Sequence, residues 1–234
     1  MNTLLIIPTY NESANIIPLI TQLIATVEEA DIIVVDDDSP DGTAEVVKAF
    51  AAASQRNIHV ILRKEDRGLG MAYKAGFLYG LSHGYDFFVT MDADMSHNPA
   101  YLPAMLQAAQ TYDMVIGSRY IEDGKTVHWE KWRVLLSWSA NTFARHLLGL
   151  HGNDLTSGYR IYRRSILEKI RLDDIQSNGY SFLVEMLYQA QRHHATICEI
   201  PIVFVDRTMG TSKISKREIY RGAWTLFRLR FHLL

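Results

Sequence analysis

Two aspartates one residue apart, Asp92 and Asp94, directly follow the apolar run Phe87-Phe88-Val89-Thr90-Met91. A strand ending there delivers both carboxylates to one edge of a sheet. Two acids so placed can hold one hard cation, which completes its shell with substrate phosphate oxygens and water. The competing explanation is a solvated acidic turn, and a lone Asp-x-Asp pair does not separate the two. A second acidic cluster, Asp36-Asp37-Asp38, ends another apolar run. Three like charges this close are unfavourable unless they are solvated or hold donors or a cation. One of them is expected to face a ligand. Another is expected to cap the helix that begins near Asp41, where Ser39-Pro40-Asp41-Gly42-Thr43 has turn and capping chemistry.

Cations balance these acids. Arg119 ends a strand-like run. Arg133, Ser137 and Asn141 recur every four residues, which places them on one face of a helix. Arg207 and Lys213 flank Gly210 in a polar segment. Guanidinium forks suit phosphate recognition, so the set predicts a site for several phosphates. The nine histidines show no zinc spacing, and His97, alone after the aspartate pair, reads as structural. Gly68-Leu69-Gly70 begins a dinucleotide fingerprint that fails at Tyr73. Gly124-Lys125-Thr126 resembles the end of a P-loop whose first glycine is replaced by Arg119, and no GxSxG elbow appears.

The elements that position these residues follow from hydrophobic periodicity. Strands are expected at Thr3–Pro8, Asp31–Asp36, Ile58–Leu62, Asp86–Met91 and Asp113–Gly117, with helices near 12–29, 41–54, 70–83 and 99–110. Nearly all-apolar strands alternating with helices indicate a parallel sheet covered on both faces. Ligands bind such sheets at the carboxyl ends of the strands, where the polar residues lie. Beyond residue 120 the alternation fades. A helix near 131–148, a Gly-rich turn at 149–158, a helix near 181–193, a strand-like run at 197–205 and an amphipathic helix at 214–234 are expected.

The 234 residues suffice for one domain with an appendage: residues 1–213, then the helix 214–234. The lone cysteine, Cys198, excludes an internal disulfide and fits a reducing compartment. The start lacks a basic signal region, and no apolar run approaches the roughly 18 residues of a membrane span. Residues 1–62 carry nine acids against Lys48 and Arg56, while residues 207–234 carry seven Arg or Lys against Glu218. The acidic half argues against wrapping nucleic acid. The basic end suits anionic lipid or a phosphorylated substrate.

Seven segments in order resemble family 2 glycosyltransferases of the GT-A fold, and specifically polyprenol (dolichol) phosphate mannosyltransferases. They are IPTYNE (7–12), VVDDDSPDGT (34–43), RGLGMAYKAG (67–76), MDADMSHNP (91–99), GSRY (117–120), DLTSGYR (154–160) and FVDRTMGTSK (204–213). The resemblance implies an α/β GT-A (Rossmann-like), mostly parallel sheet flanked by helices, with interfacial helices and the C-terminal amphipathic helix. It implies that Pro8, Tyr10, Glu12, Val35 and Asp37 line the nucleotide of GDP-mannose. Asp92, Ala93 and Asp94 would hold the diphosphate and Mg²⁺ or Mn²⁺, with Asp94 the main ligand and Ser96 a helper. Arg119, Arg207 and Lys213 would meet donor and acceptor phosphates, and Arg133 and Ser137 the polyprenyl phosphate. The implied location is peripheral, on the cytoplasmic face of a membrane, and a membrane-anchoring subunit is compatible with it.

A phosphate monoester acceptor has a second pKa of about 6, so near neutrality it attacks without a general base. That fits the lack of a persuasive catalytic His or Glu. A relative using UDP-glucose remains an alternative. So does a haloacid-dehalogenase-like phosphatase, although its Asp-x-Asp normally precedes the other acidic cluster. In the terminal helix Tyr220, Trp224, Phe227, Phe231 and Leu234 share one side, with Arg217, Arg221 and Arg228 on another. It either lies in a membrane interface or packs on the domain with its arginines in water.

Overall fold

The computed structural model describes residues 2–206 and 216–231. Arg207, Lys213 and Leu234, and the side chains of Arg217 and Arg221, lie outside the described residues. The five expected strands form as β1 (Thr3–Thr9), β2 (Asp31–Asp36), β3 (Ile58–Leu62), β4 (Phe87–Thr90) and β5 (Met114–Ser118). The intervening helices are α1 (Ile16–Thr26), α2 (Thr43–Ala53), α3 (Leu69–Ser82) and α4 (Leu102–Ala108). The remaining strands are β6 (Lys125–Val127), β7 (Arg160–Arg163), β8 (Ile197–Pro201) and β9 (Val203–Val205). The later helices are α5 (Lys131–Leu148), α6 (Arg164–Lys169), α7 (Tyr180–Arg192) and α8 (Lys216–Phe231).

The main sheet has strand order β3-β2-β1-β4-β7-β5-β8. Its pairings are parallel except those of β7, which runs antiparallel to both β4 and β5. Because strand side chains alternate faces, each apolar strand feeds two cores. Leu4, Ile6, Ile33, Val35, Phe88 and Tyr162 meet α3, α6 and α7 on one side. Leu5, Ile7, Ile32, Val34, Val89 and Ile161 meet α1, α2 and α4 on the other. Helix α3 lies so close to the sheet that a Cβ on Gly76 or Gly80 would come within 2.4 Å of Ile6 or Phe88.

Two expectations need correction. The strand-like run 197–205 is two strands: β8 extends the main sheet, and after Ile202 the chain leaves it so that β9 pairs with β6. Strand β7 was not expected at all, because its sequence Arg-Ile-Tyr-Arg is short and opens on a charge. The sheet tolerates Arg160 because its guanidinium donates to the carbonyls of Ser157, Leu183 and Leu155 at 2.7, 2.7 and 2.6 Å.

Helix α8 packs against α7 and α5, burying Thr225 and Leu229. Arg228 is not in water: its Nη2 lies 2.7 Å from Oε1 of the buried Glu185. The opposite face keeps Tyr220 and Trp224 exposed at 76% and 65%, with Phe227 and Phe231 beside them. Helix α5 likewise exposes Trp132, Leu135, Leu136 and Phe143. Among the described residues, no helix is long and apolar enough to cross a membrane.

Candidate active site

The acidic cluster after β2 resolves into three separately held carboxylates. Asp36 is fully buried and accepts from Thr9 Oγ1 at 2.7 Å and from the Ser39 amide at 2.8 Å. Asp37 accepts from Arg63 Nη1 at 2.7 Å and from the Gly68 amide at 2.6 Å. Asp38, with φ 56°, pairs with Arg67 at 2.6 Å. Each charge therefore has its own donor, which removes the repulsion inherent in the triplet. Burial raises the Asp37 carboxyl above its ordinary value, although the Gly68 amide and Arg63 pull it down. The neighbouring loop is knitted on by the Asn11 and Glu12 amides, which donate to Ser39 Oγ and Thr43 Oγ1. The capping expectation needs correction: none of Asp36, Asp37 and Asp38 caps α2, whose N-cap is Gly42, and it is Asp41 that accepts from the Thr43 amide, at 3.1 Å.

Pro8 and Glu12 are half-buried and Tyr10 is exposed beside this cluster. Val35 departs from expectation. Pairing across from Pro8, it is fully buried and packs in the α3-side core, so it offers no surface to a nucleotide. The strand's alternation, which turns Val35 toward α3, decides this.

The second acidic turn begins where β4 leaves the ladder. Asp92 is partly exposed, Ala93 buried and Asp94 buried. The Tyr73 hydroxyl donates to Asp92 Oδ1 at 3.3 Å, and Ser96 donates to Asp94 Oδ1 from its amide at 3.2 Å and from its hydroxyl. Gly158 backs the turn so closely that a Cβ there would lie 3.2 Å from Asp92 Oδ1. Met95, at φ 64°, turns the chain back so that His97 returns beneath Asp92. Burial lowers the His97 pKa and favours the neutral ring, against the nearby Asp92 and Asp94.

Across from this turn lie the cations. Arg119 is buried and forms a two-pronged pair with the fully buried Asp154, with Nε and Nη2 each at 2.7 Å. Its Nη2 also reaches Thr156 Oγ1 at 3.0 Å. The expected phosphate ligand thus already has a counter-ion. Arg133 pairs with Asp206 at 2.7 Å and stacks 4.7 Å over the Trp129 ring. Phe204 joins the two groups: it lies 5.3 Å from Arg119, 5.5 Å from Trp129 and 5.4 Å from the His97 ring. Ser137 is half-buried one turn along α5 from Arg133. Asn141 on the same face serves the scaffold, since its side chain accepts from the Leu155 amide at 2.8 Å. Among the described residues the Trp129 indole nitrogen is buried without a hydrogen-bond partner.

Asp154, Tyr73, Trp129 and Phe204 were missed as site residues. Asp154 carried a usable signal, a lone acid in a Gly-rich turn. The others are aromatics whose roles arise mostly from contacts distant in sequence, such as Tyr73 with Asp92 and Trp129 with Phe204.

Acidic turns at the carboxyl ends of parallel strands, facing arginines, suit an enzyme handling a sugar carried on a diphosphate. The fold is GT-A and the protein is a glycosyltransferase. The chain belongs to glycosyl transferase family 2, whose pattern matches residues 4–171. It is 46% identical over 215 residues to an undecaprenyl-phosphate mannosyltransferase of Micrococcus luteus, covering 92% of this chain and 88% of that protein. It is 43% identical over 218 residues to a polyprenol monophosphomannose synthase of Mycolicibacterium smegmatis, covering 93% and 82%. Among solved structures it resembles glucosyl-3-phosphoglycerate synthase from Mycobacterium tuberculosis in complex with UDP. There the TM-score is 0.71 at 17% identity, covering 98% of this chain and 80% of that one. A further structure of that synthase, with Mn²⁺, UDP and glucosyl-3-phosphoglycerate, gives a TM-score of 0.67 at 18% identity, covering 100% and 78%. At such identity these two speak to the fold alone.

Proposed function

We propose that the enzyme transfers mannose from GDP-mannose to the phosphate of a polyprenol, with inversion at the anomeric carbon. The observation that carries it is contiguity. The Asp92–Asp94 turn and the arginine cluster border one set of aromatic side chains, through His97 and Phe204. The names of the relatives at 46% and 43% identity support the sugar and the acceptor.

The carboxylates of Asp92 and Asp94 fit Mg²⁺ or Mn²⁺. Among the described residues no cluster of three His, Cys, Asp or Glu could hold a metal alone. The rest of the shell therefore falls to Ser96, water and donor diphosphate oxygens, the pattern of a hard cation shared with its substrate. When bound, the ion neutralises charge developing on the leaving diphosphate. An acceptor phosphate oxygen bonds to the anomeric carbon as the carbon's bond to the diphosphate oxygen breaks, and GDP leaves with the electron pair. The acceptor is already mostly a dianion near neutrality, so no protein base is required. Arg133, Ser137, Arg207 and Lys213 hold its phosphate, and Arg133 exchanges Asp206 for it. Arg119, neutralised by Asp154, orients the aromatic floor and lends its dipole to the donor phosphates. Pro8, Tyr10, Glu12 and Asp37 border the nucleotide.

Radiolabelled GDP-mannose and UDP-glucose, offered side by side with polyprenyl phosphate and Mn²⁺, test the donor. Labelled lipid should form from GDP-mannose at least about tenfold faster, a margin of roughly 1.4 kcal/mol. Equal or preferred use of UDP-glucose overturns the donor assignment. Release of inorganic phosphate from simple monoesters would instead revive the phosphatase alternative.

The acceptor is met from the cytoplasmic face of a membrane, with no spanning helix needed from the described residues. Helices α5 and α8 pack side by side, and each keeps an exposed apolar face, an arrangement suited to lying in a lipid interface. Removing α8 is a poor test, since it buries Leu229 and closes on Glu185. A Leu135→Glu/Trp224→Glu variant changes only exposed positions. It should lose most co-sedimentation with anionic vesicles while its melting temperature stays unchanged. Undiminished sedimentation counts against these faces as the membrane contact.

A further inference from the structure

We propose that His97 is a positioning residue for the Asp92–Asp94 cation grip, acting by accepting the hydrogen bond of the Asp92 amide. This rests on the reading of that turn as a metal site.

Strand β4 pairs with β1 only as far as Thr90, and the Met91 amide still reaches the Ile6 carbonyl at 3.3 Å. One residue further, the Asp92 amide lies beyond the last pairs that β4 makes with β1 and β7. A hydrogen bond to that amide fixes the backbone that carries the Asp92 carboxylate. His97 Nδ1 takes this hydrogen bond at 3.0 Å. With Nδ1 accepting, the ring is the neutral tautomer protonated on Nε2.

The imidazole is itself fixed. It is 2% exposed, stacked on Tyr159 at 5.0 Å and 27°, and set edge-on to Phe204 at 5.4 Å and 73°. Tyr159 in turn donates to the Asn98 carbonyl at 3.2 Å. The turn at Met95 brings residue 97 back under residue 92, so six residues, 92–97, form a closed loop with the two carboxylates on its rim. Groups one bond removed from metal ligands set ligand orientation, and their loss typically weakens metal binding by about 10- to 100-fold.

Packing and hydrogen bonding predict opposite orders of damage, which makes the proposal testable. Phenylalanine keeps the stacked ring but offers no acceptor. Asparagine places an amide oxygen near the Nδ1 position but loses the stack. Glutamine places its amide at the Nε2 position, beyond reach of Asp92. Mn²⁺ binding is read directly from loss of the free-ion electron paramagnetic resonance signal in the presence of GDP, together with the Mn²⁺ concentration for half-maximal transfer and the melting temperature. His97→Phe and His97→Gln are expected to bind Mn²⁺ at least about tenfold more weakly. His97→Asn should stay within about threefold of wild type even if it melts lower. Wild-type Mn²⁺ binding by His97→Phe, or His97→Asn weaker than His97→Gln, overturns the proposal. If His97→Phe does not fold, the Asn and Gln pair decides. A wild-type enzyme that takes up no Mn²⁺ with GDP present defeats the metal reading itself, a result distinct from both.

Discussion

An Asp94→Ala enzyme is expected to lose mannose transfer by about a thousandfold or more while remaining folded. Charge neutralisation at a leaving diphosphate is worth several kcal/mol, and each roughly 1.4 kcal/mol is a tenfold change in rate. The structural cost is smaller. Asp94 is buried, and its Oδ1 serves the amide and hydroxyl of Ser96, so truncation leaves one amide short of an acceptor. That costs about 1–3 kcal/mol, or a few degrees in melting temperature for a chain this size. Asp94→Asn separates the two effects, because it retains an acceptor for Ser96 and removes the charge. It should melt close to wild type and be nearly as inactive as the alanine variant. Turnover within threefold of wild type in either variant would end the assignment of Asp94 as principal cation ligand.

The second large effect is on stability. Asp154→Asn leaves the buried Arg119 guanidinium without its counter-charge, and breaking a buried pair from one side costs about 3–5 kcal/mol. The melting temperature should fall by roughly 10 °C. Replacing both partners, as Arg119→Met/Asp154→Leu, should recover much of the loss, since a buried pair often gives way to apolar residues at little cost. A single variant that melts with wild type would show that the pair does not hold the site together. The pH dependence has a definite sign. Burial raises the Asp154 carboxyl, but the charge and hydrogen bonds of Arg119 outweigh it, so the folded pKa lies below the ordinary value. The pair's contribution is therefore present above the unfolded pKa of about 3.9 and disappears as pH falls through the lower folded value. Acid unfolding of the wild type should steepen below about pH 4 more than that of the double variant.

The parallel half of the fold was legible because its signals are local. Short, nearly unbroken apolar runs such as Leu4–Ile7 and Ile32–Val35 read as strands buried on both faces, and the helical stretches between them indicated parallel pairing. The second half was less legible. Arg160 opens a strand whose charge is satisfied only by three carbonyls from elsewhere in the chain, and nothing in the run Arg-Ile-Tyr-Arg announces that. Terminal-helix arginines were expected in water in one reading of that segment. Arg228 instead closes on Glu185, because a buried carboxylate on a neighbouring helix competes successfully with solvent.

The order of residue types along the chain determined which groups reach the functional edge: acids after β2 and β4, a cation after β5, and a cationic helix face soon after. Chain direction and the period of a strand suffice for that, since both are properties of neighbours in sequence. Tertiary structure alone decided how each group is employed. Asp37 is tied to Arg63, Asp154 to Arg119 and Asp206 to Arg133, while His97 turns back onto the Asp92 amide. The physical reason is that hydrogen bonds and ion pairs act over about 3 Å. Most of these partners lie far apart in the chain, and the nearest pair meets only because a left-handed residue folds the turn closed.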